Sequence, residues 1–177
     1  MDATQTPRDL IERCREGRRD AHFELYRLYS RAMYNTALRM VRHPHDAEDL
    51  LQSIFIEVFG KLETFRYESS IGAWIKRITI NKCINFLKSR RLALSELSPF
   101  NDRAEETPPE PEPPYSIERI NRAISELPDG YRVVFSLYAV EGYDHEEIAQ
   151  ILGVTEATSK SQYSRAKARL RETLQAG

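Results

Sequence analysis

The chain has 177 residues, 41% hydrophobic and 30% charged, with a formal net charge of −1, which is ordinary for a compact helical protein of one or two domains and excludes a largely disordered chain. No run approaches the roughly 18 apolar residues that a membrane span needs, and the opening MDATQTPRDL lacks the charged-then-apolar order of a secretion signal, so a cytoplasmic protein without membrane insertion is expected. Cys14 and Cys83 are too few for a structural zinc site or a disulfide framework and read as reduced, buried thiols.

Divided along the chain, the charge is uneven. Residues 1–95 carry 17 Lys/Arg against 12 Asp/Glu, residues 96–114 carry 1 against 6, and residues 115–177 carry 8 against 9. The middle stretch, ELSPFNDRAEETPPEPEPP, holds six of the nine prolines and almost nothing apolar. It can neither propagate a helix nor bury a core, and reads as an acidic, flexible linker between two small helical domains, 1–95 and 115–177. The expected fold class is therefore all-α.

In the first domain four helices are expected. Thr6, Pro7 and Asp9 open the first, which closes at Gly17; Asp20 opens a long second that stops at His43-Pro44. Asp46, with Asp49 three residues on, opens a third, whose inward stripe is Leu51, Ile54, Phe55, Val58 and Leu62. That leaves Asp49, Gln52, Ser53 and Ile56 on the other side. An isoleucine among polar residues there marks either a protein partner or packing against a neighbouring helix. After the loop ETFRYESS, a fourth helix runs from about Ile71 to Arg91, with Ile71, Trp74, Ile75 and Ile78 on one side and Ile80, Ile84 and Leu87 on the other. Lys76, Arg77, Lys82, Lys88, Arg90 and Arg91 lie on it with no acid between residues 76 and 91. Cations follow a phosphate backbone, aromatic faces stack on unpaired bases and amides read base edges, so this helix and its loop suit single-stranded nucleic acid. Phe65 and Trp74 read as core anchors, whereas Tyr67, Asn81 and Asn85 read as contacts.

The second domain ends in DHEEIAQILGVTEATSKSQYSRAKARLR, residues 144–171, which reads as a helix-turn-helix. Asp144 and Glu147 form a capping-box pattern, Ile148 and Leu152 share a face, Ala149 is small enough for a close helix crossing, and Gly153 supplies the positive φ of the turn. Thr155 caps the next helix. Its inward stripe is Ser159, Tyr163, Ala166 and Leu170; Ala157, Ser161, Ser164, Arg165 and Ala168 face outward, flanked by Lys160, Lys167, Arg169 and Arg171. Short side chains let such a helix sink into a major groove while long cations reach phosphates and base edges.

In order and separation, DAEDLLQSIFIEVFGKLETFRYESSIGAWIKRITINKCINFLKSRR and, beyond the linker, LPDGYRVVFSLYAVEGYDHEEIAQILGVTEATSKSQYSRAKARLR resemble a bacterial sigma factor of the extracytoplasmic-function group, small members of the sigma-70 family that keep only the second and fourth conserved regions. The resemblance implies a promoter-specificity subunit of RNA polymerase, with core polymerase (the β′ coiled coil and β) and promoter DNA as partners. Many relatives are also held by an anti-sigma factor, although no residue here identifies one. It implies that Asp46, Asp49, Gln52, Ser53 and Ile56 meet core polymerase. Tyr67, Glu68, Ser69, Ser70, Trp74, Lys76, Arg77, Asn81, Lys82 and Asn85 would meet the −10 element, with the loop Tyr67 to Ser70 and Asn81 forming a pocket for a flipped base. Thr158, Lys160, Ser161, Ser164, Arg165 and Lys167 would read the −35 element. Ser159 and Tyr163 depart from the family by standing where aliphatic residues are usual.

Enzyme chemistry finds no support. The acidic residues are caps, linker or scattered surface, the spacing of His43, His45, Asp46 and Asp49 fits no strong metal motif, and glycine-rich phosphate loops are absent, so neither cofactor nor metal is expected. The rival reading is a stand-alone helix-turn-helix regulator of duplex operators. It accounts for residues 116–177 but not for the aromatic, amide-rich segment 65–91.

Overall fold

The structure, a computed structural model, describes residues 6–97 and 116–175, with side chains in the first stretch as far as Arg91. Among these residues every regular element is helical. The chain divides into two compact units, Met1–Asn85 and Phe86–Gly177. Most of the expected linker, 96–114, lies outside the described residues; its first two positions, Glu96 and Leu97, belong to a helix.

In the first unit, α1 (Pro7–Arg15) starts where Thr6, Pro7 and Asp9 are expected to open it, and it does so through a capping box, in which the Thr6 hydroxyl accepts from the Asp9 N–H while the Asp9 carboxylate accepts from the Thr6 N–H. Its end is turned by Gly17 at φ 76°. The second helix, α2 (Arg19–Val41), begins one residue before Asp20, on an Arg18 cap without a side-chain bond. Asp20 sits in the first turn instead, favoured there by the helix dipole and ion-paired to Arg13 and Arg18. Likewise α3 (Pro44–Lys61) does not open on Asp46. Pro44 takes its first turn, where a missing N–H costs nothing, and His43 is the cap.

The inward face of α3 is Ala47, Leu50, Ile54, Phe55 and Val58, followed by Leu62 in a short 3₁₀ turn (Leu62–Thr64); Leu51, expected in that stripe, is only half-buried. The other four expected positions are buried, and Leu50 and Ala47, four and seven residues before Ile54, extend the face toward the N-terminus. Leu25, Met33, Ala37 and Met40 of α2, and Leu10, Ile11 and Cys14 of α1, complete this core with Ile71, Ile75, Ile80, Cys83 and Ile84 of α4 (Ile71–Leu97). Each such aliphatic side chain contributes about 1.5–3 kcal/mol by leaving water. Both thiols are free and buried, and loss of solvent pushes them up, Cys14 to about 11 and Cys83 to about 12.

In the second unit, α5 (Ile117–Ser125) is capped by Ser116, α6 (Asp129–Phe135) continues as a π-helical turn through Val140, and α7 (His145–Leu152) and α8 (Glu156–Gln175) follow. Ala123, Ile124, Leu127, Ala166 and Leu170 form one apolar cluster, with Tyr131, Phe135 and Leu174 packed on it. Arg132 is buried, yet satisfied. It donates to the Leu127 carbonyl at 2.7 Å and pairs with Asp129. No helix among the described residues is long and apolar enough to cross a membrane.

Candidate nucleic-acid interface

The helix-turn-helix forms as its sequence dictates. Asp144 accepts from the Glu147 N–H at 2.8 Å, Glu147 accepts from the Asp144 N–H at 2.9 Å, and Gly153 turns the chain at φ 69°. The Thr155 hydroxyl accepts from the Thr158 N–H, and its Oγ1 is 2.8 Å from that of Thr158, so Thr158 is engaged in the cap of α8 rather than aimed outward. Inward, Ser159 and Ala166 are fully buried and Leu170 nearly so, while Ala157, Ser161, Ser164, Arg165 and Ala168 are exposed. The departure at Ser159 and Tyr163 has a partner that no helical period could indicate. Ser159 Oγ lies 2.9 Å from Nδ1 of His145, whose ring stacks on Tyr138 at 4.4 Å, and Tyr138 in turn meets Tyr163 at 4.5 Å. A polar bond and an aromatic stack thus replace aliphatic packing between α7 and α8.

The cations of α8 are not equivalent. Lys160 pairs with Glu156 at 2.5 Å, which raises its pKa through that hydrogen bond and the nearby charge. The ammonium of Lys167 sits 4.8 Å over the Tyr163 ring, and Arg169 pairs with Glu172 at 3.4 Å. Arg165 is exposed and has no ion pair or hydrogen bond among the described residues.

On the first unit, Ile56 is 73% exposed, so among the described residues no helix covers it. Asp49 and Gln52 are exposed beside it, with Asp49 3.6 Å from His45; Asp46 is half-buried, as is Ser53, which donates to the Leu50 carbonyl. No cluster of three or more His, Cys, Asp or Glu residues that could hold a metal occurs among the described residues.

The residues expected at the single strand divide into two groups. Arg77, Asn81 and Asn85, with Lys88 beyond, form an exposed stripe at helical spacing along α4. Glu68 and Ser69 are exposed in the loop before it. Lys76 is half-buried and engaged within the protein, and four others are committed elsewhere. Ser70 caps α4 by accepting from the Ala73 N–H at 3.2 Å. Lys82 turns to Glu57 at 2.9 Å and, with Lys61, holds that carboxyl below the usual carboxylate range. Trp74 is half-buried with its ring 5.4 Å from buried Phe65. Tyr67 is held against α1, its hydroxyl donating to Glu12 at 2.5 Å and its ring lying under the guanidinium groups of Arg8 at 4.9 Å and Arg15 at 5.3 Å. Tyr67 also has φ 61°, a left-handed conformation that costs a non-glycine residue about 1–2 kcal/mol and survives only where surrounding contacts compensate. Arg8, Glu12 and Arg15, which sequence reasoning passed over, share a face of α1 by their spacing of four and three. That spacing was the available signal, but it reads equally as a solvated face.

A unit with an acid-poor amide and cation stripe behind an aromatic loop, and a second that ends in a helix-turn-helix, are features of a helical DNA-binding protein. Comparison with known proteins names the class more closely. Residues 25–92 match the model for Sigma-70 region 2, and residues 117–170 match that for Sigma-70, region 4. The chain is 33% identical over 156 residues to the ECF RNA polymerase sigma factor SigE of Mycolicibacterium smegmatis, covering 85% of this chain and 60% of that protein. It is 31% identical to the RNA polymerase sigma factor SigZ of Bacillus subtilis over 72% of each. The sigma factor RpoE of Bartonella quintana, solved in complex with the anti-sigma factor NepR, shares the fold at a TM-score of 0.61 and 24% identity, over 86% of this chain and 95% of that one. The chain belongs to the sigma-70 family. Both regions occur in one chain, as a sigma factor requires and a stand-alone operator-binding regulator does not.

Proposed function

We propose that this protein is a dissociable promoter-specificity subunit of bacterial RNA polymerase, with α8 reading the −35 element and the loop and exposed stripe of α4 binding the −10 element as a single strand. The observation that carries this reading is the pairing of the two matched regions with two separate exposed basic surfaces. Arg165, Ser161 and Ser164 are the outward groups of the −35 reader, and Arg77, Asn81 and Asn85 those of the −10 reader. Asp49, Gln52 and Ile56 form the face for core polymerase, where an exposed isoleucine ringed by polar groups has the character of an interface centre. Core polymerase and promoter DNA are its partners, and an anti-sigma factor, as RpoE has in its solved complex, is the third that this reading implies. Catalysis belongs to the polymerase; the subunit opens DNA by trapping unstacked bases, using binding energy rather than nucleotide hydrolysis. Its place is the cytoplasm, with polymerase and promoter. Run-off transcription with purified core polymerase tests the whole reading. A promoter-specific product on adding the chain to core enzyme is expected, and a chain that gives none while still binding duplex DNA is a regulator instead.

A further inference from the structure

We infer that α1 is a strut for the loop that captures the −10 base, with Glu12 and Arg15 as positioning residues and Tyr67 as the anchor they hold; this rests on the sigma-factor reading above. Arg15 donates to the carbonyl of Leu62 through Nε and one terminal nitrogen, and that nitrogen also donates to the Phe65 carbonyl at 2.5 Å. Its other terminal nitrogen donates to Glu12 at 2.9 Å, and Glu12 in turn accepts the Tyr67 hydroxyl at 2.5 Å. One carboxylate and one guanidinium therefore tie the loop on both sides of Arg66 to a helix that lies outside the matched region 25–92. The carboxylate is held ionised, its pKa lowered first by the bond from Tyr67, while the phenol is raised by burial and by that same bond.

The arrangement reassigns Tyr67. Its edge meets Phe65 at 4.9 Å and two cations lie over its ring, so it is occupied as a stacking platform. What the latch leaves outward is Arg66, Glu68 and Ser69, before the stripe that begins at Arg77. A loop fixed before DNA arrives pays less ordering entropy when it binds, so the latch raises affinity for the unpaired strand without touching it.

The test uses reconstituted holoenzyme and a promoter that wild-type holoenzyme selects from a randomised library. The probes are the labelled non-template single strand of its −10 region and a duplex of its −35 region. Glu12→Ala and Tyr67→Phe should each weaken the single strand severalfold, less than a buried charge-assisted bond because solvent screens this one. The double variant should be no worse than Glu12→Ala alone, because that substitution already removes the bond from Tyr67. Glu12→Gln keeps an oxygen for the hydroxyl and should stay within about twofold of wild type. Binding of the −35 duplex should not move. Wild-type affinity of Glu12→Ala for the single strand, or a parallel loss on both probes with a lowered midpoint, overturns the strut. Failure of wild-type holoenzyme to select any promoter overturns the sigma reading beneath it.

Discussion

Removing the side chain of Arg165 isolates the recognition surface, because this exposed cation of α8 makes no ion pair or hydrogen bond among the described residues. Arg165→Ala therefore leaves the folded domain almost untouched, within about 0.5 kcal/mol. Its cost falls on binding. A bidentate contact to a base edge contributes about 1–3 kcal/mol, which is roughly 5- to 150-fold in affinity, and the preferred base at that position relaxes as well. Lys167→Ala should weaken all sequences alike and flatten the dependence of log K on log salt by about one unit, since a phosphate contact releases one counterion. Lys160 differs again, because reaching DNA means leaving Glu156 at 2.5 Å, although solvent screens such an exposed helical pair and the exchange is easy. Fluorescence anisotropy with a −35 duplex at several salt concentrations measures all three. If Arg165→Ala and Lys167→Ala both bind as wild type at moderate salt, α8 meets DNA through another face and the reasoning fails.

Asp49→Ala combined with Gln52→Ala should keep the circular dichroism of the folded chain and lower retention of core polymerase in a pull-down, whereas unfolding of the double variant would make the face structural. Asn81→Ala, at an exposed position of α4, should reduce transcription from a duplex promoter severalfold and recover part of the loss on a pre-melted bubble, within the roughly 1–3 kcal/mol of one stacked base. Equal defects on both templates would move base capture elsewhere. The third expectation concerns acid. Lys61 and Lys82 hold the Glu57 carboxyl below its ordinary 4.5, so the bonds stabilise the fold above that pH and are lost as pH falls through the lowered folded value. Glu57→Gln should thus cost about 0.2–1 kcal/mol at neutral pH and nothing once wild-type Glu57 is protonated; a deficit that persists in acid would assign the loss to packing.

The local features of the chain were legible because each depends on neighbours within a turn or two of helix. The capping boxes at Thr6 and Asp144, the turn at Gly153 and the outward face of α8 follow from spacing alone, as does the polar setting that singled out Ile56. Spacing did not decide whether Ile56 met solvent or a helix; burial did, at 73% exposure. At Asp20 and Asp46 the helices start one and two residues before the acid, which sits in the first turn where the helix dipole favours it, and a first-turn acid and a cap look alike in sequence. The remaining decisions belonged to groups far apart in sequence. Glu57 claims Lys82 from an adjacent surface, His145 accounts for the buried Ser159, and Glu12 claims Tyr67 across 55 positions. A cation, a hydroxyl or a phenol offers the same bonds to nucleic acid as to its own protein. Sequence showed which groups could recognise DNA, and only the folded neighbours decided which were already bound.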